Sequence, residues 1–385
     1  MIIQHPMLWC AIALMAGIAV GLNFPSTLCL PLLVAVFVAC YLTRKTRHLH
    51  DVLTLLVWGL LGCSRASIGE GRWIIGDGKV KIENRVASVQ SALTARLEKS
   101  GVSPRTLALC SALVVGRKDG LKRETRQAYN RAGAGHLLAL SGMHLGVLYG
   151  LMHLLFLRWV RPTRWRWHAL PLMLAAIWGY ALLTGFPVSL VRASVMLSVM
   201  TIGSLAERGV PSLHTLSLAA LVILLCSPDA VMDVGFQLSF LSVLFILTLY
   251  VPVQQRYHRL FSGWGLLLRP IGVSLAAQIG TAPLCLYYFH SLPLGAVAIN
   301  LLMVPLTTAI IYLGVAALVW PATMLVSMLA TVVKAELWLI KGWTALPHLT
   351  IHDIYVPRLM VVLLYALLLC AILRLHLQLK DDDFA

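Results

Sequence analysis

RAGAGHLLALSGMHLGVLYG, residues 131–150, decides the fold. A glycine-rich turn opens the stretch, and the apolar pattern that follows predicts one helix over residues 137–157, bringing His136, Ser141, Gly142 and His144 into hydrocarbon. A polar group left unbonded in hydrocarbon costs roughly 2 to 7 kcal/mol, so a helix that keeps four such departures from Leu and Val faces protein or water rather than lipid. Ser141 and His144 stand three residues apart and share a helix face, and Gly142 lets another backbone come close. The same residue types also glue packed transmembrane helices together, which is the structural alternative.

Composition agrees with a membrane setting. Hydrophobic residues make up 59% and charged residues 12% of the 385, with a mean hydropathy of +0.84; a soluble globule carries about a quarter charged residues. The fold class is therefore an all-α polytopic membrane protein, with about 10 to 12 transmembrane helices at some 20 residues per span and some segments broken or re-entrant. The net charge of +16, from 31 Lys and Arg against 15 Asp and Glu, is what basic cytoplasmic loops produce and says little by itself about nucleic acid. The eight cysteines lie singly without metal-ligand spacing and read as small buried apolar residues. The start, MIIQHP, lacks the basic stretch of a cleavable signal, so the first helix is expected to stay as an anchor.

In chain order, apolar runs at 7–23 and 28–43 and a short one at Leu53–Cys63 form an N-terminal membrane region over residues 1–63, with a basic cytoplasmic loop at 44–51. Residues 64–103 are the longest polar stretch and read as a short extracytoplasmic segment, a strand pair and a helix at most. Residues 104–377 form the main membrane core. In it, 104–116 starts with Pro and is too short to span, so an interfacial or re-entrant helix is expected. RKDGLKRETRQAYNR at 117–131 places Lys122, Arg123 and Arg126 on one helix face; a cytoplasmic location would satisfy the positive-inside rule, whereas alternation of the loops, the favoured reading, puts it outside, where it can receive phosphates. RWVRPTRWRWH at 158–168 and QQRYHR at 254–259 are cytoplasmic by their charge, with spans at 169–184, 188–206, 213–226, 234–251 and 266–286. Over 294–345, Pro305 and Pro321 leave broken spans and re-entrant hairpins both open, and the helix with Lys334, Glu336 and Lys341 beside Trp338 and Trp343 reads as interfacial. A last span at 358–377 leads to a cytoplasmic acidic tail at 378–385, whose Asp381, Asp382 and Asp383 read as a solvated end and not as a metal site.

Arg192 sits mid-helix in VSLVRASVM, where an arginine costs about 2.5 to 3.5 kcal/mol on insertion scales. It needs water, a carboxylate or an anionic substrate. Asp233 and Gln237 share a face at i, i+4, and Gln278 and Asn300 extend the polar series. One reading is a structural network with Arg192 paired to Asp233. The other is a polar passage, in which these donors meet phosphates and Tyr287, Tyr288 and Phe289 at the outer mouth meet bases.

Four ordered blocks resemble the ComEC competence family: LVVGRKDGLKRETRQAYNRAG running into GHLLALSGMHLGVLYG, then GFPVSLVRASVM at 185–196, DVGFQLSFLSVL at 233–244 and AQIGTAPLCLYYFHSLPLGAVAINLLMVPL at 277–306. The resemblance covers roughly residues 105–320 and implies an inner-membrane channel core for uptake of single-stranded DNA into the cytoplasm of a bacterium during natural transformation. The polar-passage reading takes His136, Ser141, Gly142, His144, Arg192, Asp233, Gln237, Gln278 and Asn300 as pathway candidates; no cofactor is expected, and the expected partners are single-stranded DNA, the lipid bilayer, and DNA-delivery and DNA-pulling proteins of a competence system. Family members commonly carry an outer OB-fold domain between the first spans and the core, and many carry a C-terminal metallo-β-lactamase-like domain. The 40 residues of 64–103 are too few for the first, and the second does not follow the last span, so a separate nuclease is expected if one strand is degraded.

The alternatives are a transporter of another anionic solute or an intramembrane enzyme. Ser141 with His144 resembles a nucleophile and base, but no carboxylate in the sequence is identifiable as orienting the histidine. His136 and His144 lie about 80° apart on a helix and lack an HExxH pattern, so neither catalysis nor a metal is expected.

Overall fold

The computed structural model describes residues 11–15, 18, 76–138, 140–154, 163–205, 212–257, 265–346, 350–351 and 353–381. Apart from residues 11–15 and 18, the expected spans before residue 64 lie outside them, as do the loop at 44–51, the first half of the arginine loop and Asp382 and Asp383. The chain forms two compact units, Met1–Arg85 with Tyr149–Gln237 and Val86–Leu148 with Leu238–Ala385. Five helices among the described residues are long and apolar enough to cross a membrane: Val234–Arg256, Leu268–Phe289, Ala296–Val319, Thr323–Thr344 and Arg358–Leu375. Shorter apolar helices accompany them. This is an all-α, multi-pass membrane protein.

α1 (Gly76–Lys99), which belongs to the second unit from Val86 on, leads to α2 (Pro104–Cys110), which continues as a π-helical turn, Ser111–Val115. Pro104 opens α2 where no N–H is missed, and Ser103 caps it by accepting from the Thr106 N–H. The segment expected as an interfacial or re-entrant helix is packed inside the unit: Leu109 to Val115 are all buried against α12. Residues 76–99 of the polar stretch before it form α1, the helix expected there, and residues 64–75 lie outside the described residues. That helix docks on the unit: Leu97 is buried, Gln90 donates to the Val115 carbonyl and Arg96 to the Val319 carbonyl. Arg96 thereby places a cation at a helix C-terminus, where the dipole favours it.

Next come α3 (Arg123–Arg131), α4 (Gly135–Leu138) and α5 (Gly142–Met152), whose end belongs to the first unit. That unit holds α6 (Thr163–Leu183), α7 (Val188–Leu205) and α8 (Ser212–Cys226), with α7 packed on both neighbours. Its polar residues fit hydrocarbon by bonding back to their own helix, as Ser198 does to Ser194, Thr201 to Leu197 and Ser217 to Leu213.

α9 (Val234–Phe245), the π-helical turn Ile246–Tyr250 and α10 (Val251–Arg256) run as one span antiparallel to α11 (Gly265–Phe289). Phe245 seats on Gly280 and Tyr250 on Gly272, which fixes that register. The two-residue strand β1 (Leu292–Pro293) then leads into α12 (Ala296–Val319), α13 (Thr323–Thr344), β2 (Thr350–Ile351) and α14 (Arg358–Asp381). α12 and α13 form a continuous hairpin, which settles the region the prolines left open. Pro305 is accommodated inside α12, and Pro321 sits in the turn. α14 shows lipid an almost unbroken apolar surface, with Leu359, Val362, Leu363 and Leu367 all exposed. Cys370 lies exposed on it, unlike buried Cys110, so not every cysteine is a core residue.

Candidate functional site

The signature stretch is not one helix. α4 stops at Leu138 and α5 starts at Gly142, with Ser141 at the break. Ser141 holds the break together: its carbonyl accepts from the His144 N–H, while its own N–H donates to His144 Nδ1 at 3.3 Å. The Ser141 hydroxyl lies 3.1 Å from the same Nδ1. A nitrogen that accepts from a backbone N–H carries no proton, so the hydroxyl donates as well and the ring proton sits on Nε2. His144 is fully buried, and that Nε2 has no partner among the described residues. The expected pairing of Ser141 with His144 is thus present, but across a helix N-terminus rather than along a helix face.

The turn before the break is anchored to α12. Gly133 takes a left-handed φ of +75°, and a Cβ there would fall 2.6 Å from Ala296 Cβ and 2.8 Å from Pro293 Cβ. Beside it Gln278 donates to the Pro293 carbonyl at 2.8 Å, and Thr350 donates to the Arg131 carbonyl at 2.5 Å. β1 pairs antiparallel with β2. The turn, the strand pair and the start of α12 therefore form one assembly at one end of this unit. His136 is exposed on α4. Asn300 is half-buried on α12, and its Oδ1 has no partner among the described residues.

Lys122, Arg123 and Arg126 are all exposed at the start of α3. Arg126 donates to the Lys118 carbonyl and Arg117 pairs with Asp119 at 3.2 Å, so part of this charge is spent on folding the loop. Burial first, and Arg126 second, hold the Lys118 ammonium below the usual lysine range.

The remaining sequence-derived residues belong to the first unit. Arg192 is buried on α7 at 6% exposure. Asp233 is exposed and caps α9, its Oδ1 accepting from the Phe236 N–H at 2.7 Å. Gln237 bonds the Val231 carbonyl at 2.9 Å. Asp233 and Gln237 each serve the entry to α9 in this arrangement.

Glu336 is the residue that the sequence reading misplaced. It is fully buried, not interfacial, and accepts from the Tyr129 hydroxyl at 2.7 Å and from Thr307 Oγ1 at 3.2 Å. The signal was in the spacing: the buried residues of α13 are Val326, Leu329, Val333, Glu336 and Ile340, so the glutamate occupies a regular three-four core position. Lys334 and Lys341 flank it on the exposed side, and their charge masked that pattern.

Residues 113–378, well over half of the chain, match the family model described as Competence protein. The chain belongs to this family. Competence-family relatives include ComE operon protein 3 of Bacillus subtilis (strain 168), 35% identical over 215 residues, 56% of this chain. Recombination protein 2 of Haemophilus influenzae (strain ATCC 51907 / DSM 11121 / KW20 / Rd) is 28% identical over 246 residues, 60% of this chain. The matches span 26% and 31% of those proteins' lengths, so the chain corresponds to under a third of either. No solved structure matches it.

Proposed function

We propose that this chain is the membrane core of a DNA-uptake apparatus, a channel that passes single-stranded DNA across the bacterial inner membrane into the cytoplasm during natural transformation. The observation that carries the reading is the competence-family match over 113–378, which takes in the broken signature helix, the exposed basic face and all five long membrane helices. Sidedness supports it. The antiparallel register of α9–α10 with α11 puts Arg256 and β1 at opposite ends of the second unit. The basic loop after Arg256 belongs in the cytoplasm. The strand pair and α3, joined through Thr350 and Gly133, then lie outside, where Lys122, Arg123 and Arg126 can meet incoming phosphates. Polar side chains such as His144 and Asn300 supply donors and acceptors without sequence readout, as a strand in transit requires.

A second reading rests on the 3.1 Å approach of Ser141 Oγ to His144 Nδ1, the distance of a nucleophile and its base. We favour the channel because that Nδ1 also takes the Ser141 N–H and Nε2 meets no carboxylate among the described residues. Deleting the gene tests the proposal: transformation should disappear while surface-bound DNA persists, and the full chain should restore it. Undiminished transformation in the deletion strain would refute it.

A further inference from the structure

Glu336 has no part in the passage described above, and its surroundings call for an explanation. Both hydroxyl donors, Tyr129 and Thr307, converge on Oε1, while Oε2 is buried with no partner among the described residues. The elements packed against α13 are α12, α2 and α3. α12 has no charged residue along its whole length. Arg105 on α2 is exposed, as are Arg123, Glu124, Arg126 and Arg131 on α3 and Lys334 and Lys341 on α13 itself. The buried titratable neighbours on those elements are Tyr129 and Cys110, neither of them a cation. Burying an ionised carboxylate without a cation costs far more than burying a neutral O–H, and two neutral donors on one oxygen do not close that gap. In the neutral acid, Oε1 becomes the carbonyl oxygen that two donors suit, and the proton rests on Oε2.

We propose that Glu336 is a proton-binding and proton-exchanging site inside the membrane unit, with Tyr129 and Thr307 positioning its carboxyl. Release breaks the O–H bond at Oε2 heterolytically, the electron pair stays on the carboxylate, and the proton passes to water reaching the site past α3. That side borders the surface, because Tyr129, itself buried, lies on a nine-residue helix whose neighbouring residues Gln127, Asn130 and Arg131 are exposed. Burial first, and Glu336 second, raise the Tyr129 hydroxyl well above its usual range, so it remains a donor through the exchange.

Infrared difference spectroscopy of the full chain in lipid bilayers tests this. At neutral pH the protein should show a protonated-carboxyl C=O band that is lost in Glu336→Gln and downshifts when water is replaced by heavy water. Tyr129→Phe and Thr307→Val each remove one donor to the carbonyl, so each should shift the band upward, and they report on the site even if Glu336→Gln fails to insert. Absence of the band at neutral pH, its persistence in Glu336→Gln, its indifference to heavy water, or an unchanged position in both donor variants would each overturn the assignment.

Discussion

Replacing Gly133 with Ala should damage the protein more than the same change at Gly101, and the difference measures how tightly the signature turn is clamped to α12. Both glycines are left-handed, at φ +75° and +80°, so an alanine at either pays a similar backbone cost, about 1 to 2 kcal/mol. At Gly101 nothing lies within 4 Å of the new methyl, whereas at Gly133 it would come within 2.6 Å of Ala296 Cβ and 2.8 Å of Pro293 Cβ. Neither neighbour has a flexible end to move, so the turn or the start of α12 must shift. Overpacking of this kind adds about 1 to 3 kcal/mol. The two variants should therefore differ about 5- to 150-fold in their folding equilibrium. Denaturant titration of the solubilised chain, followed by tryptophan fluorescence, reads that difference, and transformation should fall only for Gly133→Ala. Equal destabilisation by the two alanines would show that the turn does not bear on α12.

Other perturbations separate the roles. Ser141→Ala deletes one hydroxyl and should leave substantial DNA uptake, whereas Ser141→Leu puts bulk into the helix break and should block it; complete loss in the alanine variant at unchanged abundance would favour chemistry at this pair. Arg192→Lys should keep partial uptake, and Arg192→Ala should abolish it with the protein inserted at normal level; falling abundance in both would make Arg192 structural, and normal uptake in the alanine variant would remove it from the pathway. With native cysteines removed, Gln127→Cys on α3 should react with an impermeant thiol reagent in spheroplasts and Tyr257→Cys after α10 should resist it; the reverse pattern would invert the topology.

Outside 294–345, which the prolines left open, the helices after residue 163 were legible because hydrophobic length is a strong signal, and the described helices fall where the apolar runs lie. The break at Ser141 was not, since a run of Leu, Ala and Gly gives no sign that a serine will stop one helix and start the next. Its cause is local bonding, the Ser141 N–H and hydroxyl turning to His144, and such capping competes with helix only once the ring is fixed by burial. The capping role of Asp233 is local in the same way, because the nearest donor to a carboxylate at a helix start is the helix itself. Glu336 was hidden by chemistry, because a glutamate between two lysines looks solvated until the three-four spacing of its buried neighbours is given more weight than their charges.

A photo-crosslinking residue placed at position 141, in the break, tests the central claim most directly. During uptake of labelled DNA by otherwise functional cells, it should capture the single strand in transit, while the same probe at Leu367 on the exposed face of α14 should capture lipid and no DNA. Efficient uptake with no DNA captured at position 141 would contradict the account.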